Sequence, residues 1–251
     1  MVGLGPLAGG FVRAGVTPAD PAWDDGLLDA SALAVVAHPD DESFGLGAVL
    51  AHLSGAGSEV SLLCFTHGEA STLAKDELER SALHAVRAEE LAAAAGVLGL
   101  ASVELHNYPD GRLSSVGLEE LAAAVEAESI RRRSGLLVVF DEGGITGHPD
   151  HVQATRAALA AAERLDLPVV AWAVDQVVAE TLNAEFGTTF AGRPADGIDI
   201  RIAVGRDLQN AAICCHRSQS TANPVLWRRL ELTGGTEPLR VLRSARRTGS
   251  L

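Results

Sequence analysis

The chain has 251 residues, of which 47% are hydrophobic and 21% are charged, and its formal net charge is −13. This composition is typical of a globular protein with a sizeable core and excludes an intrinsically disordered chain. Arginines cluster only in short runs, at 131–133 and 243–247, and neither run is long enough to follow a phosphate backbone. We therefore expect no nucleic-acid partner.

The cysteines and the apolar stretches favour the cytoplasm as the cellular compartment. Cys64, Cys214 and Cys215 are odd in number and have no C-x-x-C spacing, which favours a reducing environment over a disulfide framework. The first 15 residues lack the basic and long apolar regions of a signal peptide. The longest weakly polar stretch, 91–103, is too short to span a bilayer. We expect a cytoplasmic protein with no membrane partner.

Hydrophobic periodicity predicts one domain. Residues 1–30 show no clear period and predict an irregular lead-in, and residues 31–251 predict a single domain. Predicted strands cover 32–37, 59–66, 102–106, 135–140, 168–174 and 196–204, with an edge strand near 239–243; predicted helices cover 44–57, 77–99, 117–133, 151–165 and 205–219. Strands that alternate with long helices predict an α/β fold: a Rossmann-like, mainly parallel sheet with helices on both faces.

Two predicted strands end in the same unusual sequence. HPDDE (38–42) follows the first strand, and GGITGHPDH (143–151) follows the strand at 135–140. Ligands of open α/β sheets bind beyond the carboxyl ends of the strands. We therefore expect both His-Pro-Asp segments to reach one edge of the sheet.

These residue types favour metal-assisted hydrolysis. One imidazole and one carboxylate of the first loop, with one imidazole of the second, would suit zinc with an open position for water, or Fe(II). Asp40 would stay off the metal as a general base, and His148 would be a further donor or acid. Either motif alone could be structural, since acids also favour helix starts. The repetition of the His-Pro-Asp sequence at the end of a second strand favours a functional site.

The paired segments AHPDDE (37–42) and TGHPDH (146–151) resemble the PIG-L/LmbE-like de-N-acetylase family. Shorter matches are FTHGEA (65–70), RAEEL (87–91), YPDGRL (108–113) and HRSQ (216–219). The resemblance implies a metal-dependent enzyme that removes acetyl from an N-acetylglucosamine-type amino sugar in a small soluble conjugate.

The same resemblance implies roles for individual residues. Zinc, or Fe²⁺ or another divalent cation, would be held by His38, Asp41 and His151. Asp40 would be the general base, and His148 would help to stabilise the oxyanion. Arg87 and Asp110 correspond to positions near the substrate. Glu42 and Ser43 are expected to cap the helix that follows.

Three other interpretations remain open at this point. The chain could be a metal-dependent amidase or esterase for another acyl substrate, or a catalytically silent metal- or sugar-binding module. A retained Asp40 argues against the silent module. A nucleotide-binding Rossmann module would carry G-x-G-x-x-G where this chain has His-Pro-Asp-Asp. A homo-oligomer is compatible with the sequence.

Overall fold

A single seven-stranded sheet organises the protein. The computed structural model describes residues 30–70 and 77–245, so nearly all of the predicted lead-in, 1–30, lies outside the described residues. The strands are β1 (Ala32–Val36), β2 (Val60–Cys64), β3 (Ser102–Leu105), β4 (Leu136–Phe140), β5 (Val169–Trp172), the short β6 (Val174–Asp175) and β7 (Gly192–Arg193), β8 (Ile200–Ala203) and β9 (Thr236–Arg243). The sheet order is β3-β2-β1-β4-β5-β9-β8, and β6 pairs separately with β7.

Five neighbouring strands, β3 to β5 in that order, are parallel, whereas β9 runs antiparallel to both β5 and β8. The helices are α1 (Asp41–Phe44), α2 (Gly47–Gly55), α3 (Glu77–Leu98), α4 (Leu118–Arg132), the single irregular turn α5 (Gly144–Gly147), α6 (Pro149–Leu165), α7 (Gln176–Phe186), α8 (Asp207–Cys215), α9 (Arg217–Ser220) and α10 (Pro224–Thr233). Of these, none is both long and apolar enough to cross a membrane.

Helices cover both faces of the sheet, and every residue of β1 is therefore buried. Ala34 and Val36 face a core shared with α2, α3 and α7. Leu33 and Val35 face a second core formed with α4 and α6. A strand enclosed in this way reads as a continuous apolar run, as the sequence does here. The predicted fold class, an α/β domain with a mainly parallel sheet, is confirmed.

Several predicted elements differ from the structure: the helix 205–219 is divided into α8 and α9, and the strand 168–174 covers β5 and the start of β6. The predicted edge strand at 239–243 belongs to β9, which is interior, because β8 pairs with its far side. The predicted helix 44–57 is two helices, α1 and α2, separated at 45–46. Gly45 fits there only because it lacks a side chain: a Cβ atom would lie 2.4 Å from the Phe140 ring.

A buried carboxylate joins the end of β4 to the antiparallel part of the sheet. Asp141 directly follows β4 and is 2% exposed. It accepts hydrogen bonds of 2.5 Å from Arg193, in β7, and from Arg240, in β9. Asp141 therefore fixes the direction in which the chain leaves β4 and enters the loop that precedes α6.

We expect Asp141→Ala to lower the free energy of unfolding by about 2 kcal/mol, because two charge-assisted hydrogen bonds are lost while both arginines can partly rehydrate. The matched control is Glu142→Ala, since Glu142 is exposed and lies 3.6 Å from Arg240. It should change stability by less than about 0.5 kcal/mol. Urea unfolding of both variants measures this, and equal effects would contradict the role of Asp141.

Candidate active site

The site lies where the strand order reverses. From β1 the chain builds outward through β2 to β3, whereas β4 and β5 lie on the other side of β1. β1 and β4 are adjacent and parallel, so the loops that follow them open over one crevice. Such a reversal is where open α/β sheets bind ligands. The structure brings the two His-Pro-Asp segments together there.

Asp41, the first residue of α1, is held by the backbone. Its Oδ2 accepts hydrogen bonds from the N–H groups of Ala37, at 3.2 Å, and His38, at 2.9 Å. Its Oδ1 lies 3.0 Å from Nε2 of His151. One carboxylate oxygen is therefore fixed to the end of β1, while the other faces the imidazole that comes from the second loop.

His38 and His151 are each anchored through the ring nitrogen that points away from Asp41. Nδ1 of His151 lies 3.2 Å from the carbonyl oxygen of Gly144. Nε2 of His38 lies 3.0 Å from Asp110 and 3.4 Å from Asp150. When these distal nitrogens carry the protons, the other nitrogen of each ring is a free lone-pair donor. Metal-binding histidines in proteins are typically oriented by such contacts.

The free donors lie close enough together to share one metal ion. Nδ1 of His38 lies 3.2 Å from Nε2 of His151, which lies 3.0 Å from Oδ1 of Asp41. Ligand atoms bound tetrahedrally at about 2.0–2.2 Å from zinc are about 3.3–3.6 Å apart. The surroundings are also anionic: burial alone would lower the pKa of His38, but Asp110, Asp150 and Asp41 raise it well above its ordinary value. The donor set therefore fits a divalent cation.

Two other groups of donors overlap with this set. Atoms of His38, His148 and His151 lie within 4.8 Å of one another, as do atoms of His38, Asp110 and Asp150. In the second group, Asp150 already accepts the backbone N–H groups of Gly111 (2.7 Å) and Leu113 (3.0 Å). In the group of three histidines, Nδ1 of His148 accepts the N–H of Asp150 at 3.3 Å, and this contact caps the N-terminus of α6. In Asp41, by contrast, the backbone contacts occupy only Oδ2, and Oδ1 faces His151.

The contact of His148 also sets its tautomer. Because Nδ1 accepts a hydrogen bond, the ring proton belongs on Nε2, which is then a donor. The ring stands edge-on to that of His38, with the centroids 4.9 Å apart. His148 therefore borders the donor set of His38, Asp41 and His151 and can donate a hydrogen bond without being charged.

Asp40 is held beside this set in a strained conformation. Its φ is 116°, which is costly for a residue other than glycine. Its carboxylate lies 3.0 Å from Nη2 of Arg87 and its side chain is 16% exposed. Burial raises the pKa of Asp40 to about 6, although the charge of Arg87 opposes the rise. Such strain persists only where surrounding contacts enforce it, and it is common at functional sites.

Arg87 joins the loop after β1 to the loop after β2. It is 4% exposed, and it donates to the carbonyl of Pro39 and, at 2.8 Å, to that of Gly68. Gly68 has a φ of 67°, and a Cβ there would lie 2.2 Å from the guanidinium. Arg87 was predicted to lie near the substrate. The structure places its guanidinium against Asp40 and these two carbonyls.

Asp110, also predicted near the substrate, contacts His38 through one oxygen and accepts the N–H of Ala70 at 2.7 Å through the other. Sequence reasoning gave no role to Asp150, which is fully buried and shares His38 with Asp110. The repeated His-Pro-Asp pattern was the available signal, since Asp150 is the aspartate of its second copy. Both carboxylates orient His38.

Glu42 and His216 form a buried pair that sequence reasoning also missed. Glu42 was expected to cap the predicted helix 44–57, but it lies within α1 and its side chain turns inward. Its Oε2 accepts the N–H of Asp40 at 2.9 Å, and its Oε1 lies 2.6 Å from Nε2 of His216. The hydroxyl of Ser43 donates to the same Oε1 at 2.5 Å. Burial alone would lower the pKa of His216, but the charge of Glu42 raises it. Glu42 thereby supports the strained backbone of Asp40.

Comparison with known proteins identifies the family. The model of the PIG-L family, described as GlcNAc-PI de-N-acetylase, matches residues 33–162. The chain is 33% identical over 245 residues to a 1D-myo-inositol 2-acetamido-2-deoxy-alpha-D-glucopyranoside deacetylase of Salinispora arenicola, and the match covers 80% of each protein.

Solved structures share the fold. The N,N'-diacetylchitobiose deacetylase of Pyrococcus horikoshii has a TM-score of 0.64 at 21% identity, covering 88% of this chain and 87% of that one. The 4-carboxy-2-hydroxymuconate hydratase of Pseudomonas putida has a TM-score of 0.66 at 20% identity, covering 88% and 99%. Because this fold occurs with both chemistries, the assignment rests on the sequence matches. They show that the chain belongs to the PIG-L de-N-acetylase family.

Proposed function

We propose that the chain is a zinc-dependent N-deacetylase that removes the acetyl group from an N-acetylglucosamine-type amino sugar in a small conjugate. The observation that carries the proposal is the convergence of His38, Asp41 and His151, each anchored so that one donor atom faces the others. The name of the Salinispora arenicola relative, an N-acetylglucosaminide deacetylase, supports the choice of substrate.

His38, Asp41 and His151 would hold the metal. Two imidazoles and one carboxylate suit zinc, and Fe²⁺ or another divalent cation would also accept this set. A bound cation would supply Lewis-acid chemistry by polarising the amide carbonyl and activating water. Asp110, Asp150 and Gly144 would keep the rings oriented through their contacts with the distal nitrogens.

Asp40 would act as the general base. Asp40 directly precedes Asp41, and its carboxylate interacts electrostatically with Asp41 and His38. It is held by Arg87 and by the contact of its own N–H with Glu42. It would take a proton from the attacking water and pass it to the leaving amine nitrogen as the amide C–N bond breaks. General bases typically contribute about 10²–10⁴-fold to the rate.

His148 would stabilise the negative charge that develops on the carbonyl oxygen. Its Nδ1 is occupied by the N–H of Asp150, so Nε2 would be the donor. Arg87 and Asp110 would position Asp40 and His38, respectively. Their contact with substrate stays a prediction, as do a homo-oligomeric state and a cytoplasmic location. The three cysteines are all free, which supports the predicted cytoplasmic location.

Another acyl amide or ester as substrate is the second candidate, since the same donor set would serve it. A silent binding module would have no use for the strain at Asp40, which Glu42 and Arg87 maintain. The deacetylase and its alternative differ in which acyl compounds the chain cleaves, so substrate panels separate them.

We expect one zinc ion per chain, measured by titrating metal-free protein with Zn²⁺ in a calorimeter. Ala at His38, Asp41 or His151 should weaken binding by at least about 100-fold, since even loss of an outer-shell partner costs 10–100-fold. The matched control is His148→Ala, from the same short loop, which should bind zinc nearly as wild type does. Loss of zinc in His148→Ala with retention in Asp41→Ala would select the three-histidine set instead.

The zinc-loaded protein should release acetate from an N-acetylglucosaminide, tested with a myo-inositol glycoside and N,N'-diacetylchitobiose. The control is Asp40→Asn, which should keep zinc and the fold but lose about 10²–10⁴-fold in kcat. Cleavage of a simple ester or peptide without acetate release from either sugar would favour the alternative substrate. Normal turnover in zinc-replete Asp40→Asn would remove Asp40 from the mechanism.

Glu42→Gln should lower kcat by at least about tenfold while zinc content and KM change much less. The amide cannot replace all three contacts of the carboxylate, and a displacement of about 1 Å at a reacting group can cost about 100-fold. Ser43→Ala is the control, because it removes only the hydroxyl contact to Oε1 and leaves the contacts of Glu42 with His216 and with the N–H of Asp40. If Ser43→Ala lost as much kcat as Glu42→Gln, the support of Asp40 would not be the cause.

A further inference from the structure

The loop between β4 and α6 contains a turn that ordinary side chains avoid. Ile145 has a φ of 66° and a ψ of −58°, which is the conformation of the γ-turn with positive φ, a rare and strained form. Such a φ is an outlier for a residue that is branched at Cβ. A strained backbone persists only where the surrounding contacts enforce it, so other parts of the chain must hold this turn.

The turn adjoins one of the proposed metal ligands. The carbonyl oxygen of Gly144 lies 3.2 Å from Nδ1 of His151 and so orients that imidazole. This carbonyl and the N–H of Ile145 belong to one rigid peptide plane. The φ of Ile145 therefore sets how the plane is turned relative to the chain that follows, which carries His151. Loss of a contact of this kind behind a metal-binding histidine typically costs about 10–100-fold in metal affinity.

The segment 188–191, which follows α7, lies alongside the turn. The N–H of Ala191 donates to the carbonyl of Ile145 at 2.7 Å. The hydroxyl of Thr189 donates to the carbonyl of Thr146 at 2.9 Å. These two hydrogen bonds hold the carbonyl of the strained residue and the next carbonyl along the chain.

Asn183, near the end of α7, folds this segment through its side-chain amide. Its Oδ1 accepts the N–H of Phe190 at 2.8 Å and the hydroxyl of Thr188 at 2.9 Å. Its Nδ2 donates to the carbonyl of Phe190 at 3.0 Å. Only a side-chain amide offers a donor and an acceptor side by side in this way. Asn183 therefore fixes both backbone groups of the residue that directly precedes Ala191.

The chain just beyond the segment is held independently of Asn183. Gly192 pairs with Val174 where β7 meets β6, and Arg193 pairs with the buried Asp141. Removal of the Asn183 side chain would thus release the segment 188–191 and leave β7 in place.

We propose that Asn183 is a positioning residue for the metal site, because the segment that it folds holds Ile145 in the strained turn and so keeps the Gly144 carbonyl against His151. The inference rests on the proposed function, since the support matters only if His151 binds the metal. Without the Asn183 side chain, the turn relaxes and the imidazole loses its fixed orientation.

The affinity of metal-free protein for Zn²⁺, measured by calorimetric titration, tests the inference. Asn183→Ala should weaken zinc binding by about tenfold, the lower end of the range for lost outer contacts, because it acts on His151 through the backbone. The matched control is Thr181→Ala in the same helix, where the hydroxyl donates to the carbonyl of Val177. This control should bind zinc within about twofold of the wild type.

A second substitution separates the turn from a general loss of stability. Glycine adopts a positive φ without strain, so Ile145→Gly should bring zinc affinity back to within about threefold of the wild type when it is added to Asn183→Ala. Ile145→Gly alone should also bind zinc within that range. If Asn183 merely stabilised the domain, removing the buried Ile145 side chain as well would lower stability further and restore nothing. Urea unfolding of the same variants records their stability.

A milder pair of variants keeps the test valid if Asn183→Ala does not fold. Thr189→Val removes the hydroxyl that donates to Thr146 and should weaken zinc binding by about threefold, the value of one hydrogen bond. Thr189→Ser keeps that hydroxyl and should bind zinc as the wild type does. Thr189 is exposed, so neither substitution disturbs the core.

The possible failures are distinguishable. Wild-type affinity in both Asn183→Ala and Thr189→Val, with zinc lost in His151→Ala, would overturn the role of Asn183 and leave the proposed function intact. A double variant as weak as Asn183→Ala, or loss of zinc in Ile145→Gly alone, would overturn the strained turn as the link. Wild-type zinc binding in His151→Ala would contradict the proposed metal site itself.

Discussion

The carboxylate of Asp41 connects the backbone of the sheet to the chemistry of the crevice. Its Oδ2 is bound by two N–H groups at the end of β1, and its Oδ1 faces His151 from the loop after β4. Those N–H groups need an acceptor because they lie just beyond the last paired residue of a buried strand. The same carboxylate thus completes the backbone hydrogen bonding of β1 and orients its second oxygen towards His151, beside which we propose that the metal binds.

The short sequence motifs are spread over the chain because each satisfies one contact of this crevice. The segment after β2 supplies Thr66, whose hydroxyl donates to the carbonyl of Ala37 at 2.9 Å, and Gly68, which leaves room for Arg87. The segment after β3 supplies Asp110 for His38. The segment after α8 supplies His216 for Glu42. The site is therefore a set of five loops, and each one depends on a side chain from another.

The sequence predicts most of the sheet because burial on both faces leaves a local signature, the continuous apolar run of β1 or β4. It predicts the meeting of the two His-Pro-Asp segments because parallel strands bring their carboxyl ends to one edge. It does not predict contacts that join distant segments without a periodic signature. His216 lies 174 residues from Glu42. Arg229 lies in α10, where the sequence does not distinguish it from an exposed arginine. The sequence also does not predict that β9 is interior, because the pairing of β9 with β8 is a tertiary contact.

The central claim, that two imidazoles and the carboxylate of Asp41 hold a divalent metal at the strand-order reversal, is tested most directly by zinc-edge X-ray absorption on protein loaded with one equivalent of zinc. The account predicts a first shell of nitrogen and oxygen at about 2.0–2.2 Å with the outer-shell scattering of two imidazole rings. Scattering from three imidazoles would place His148 on the metal. A shell of oxygen alone would contradict the assignment of His38 and His151.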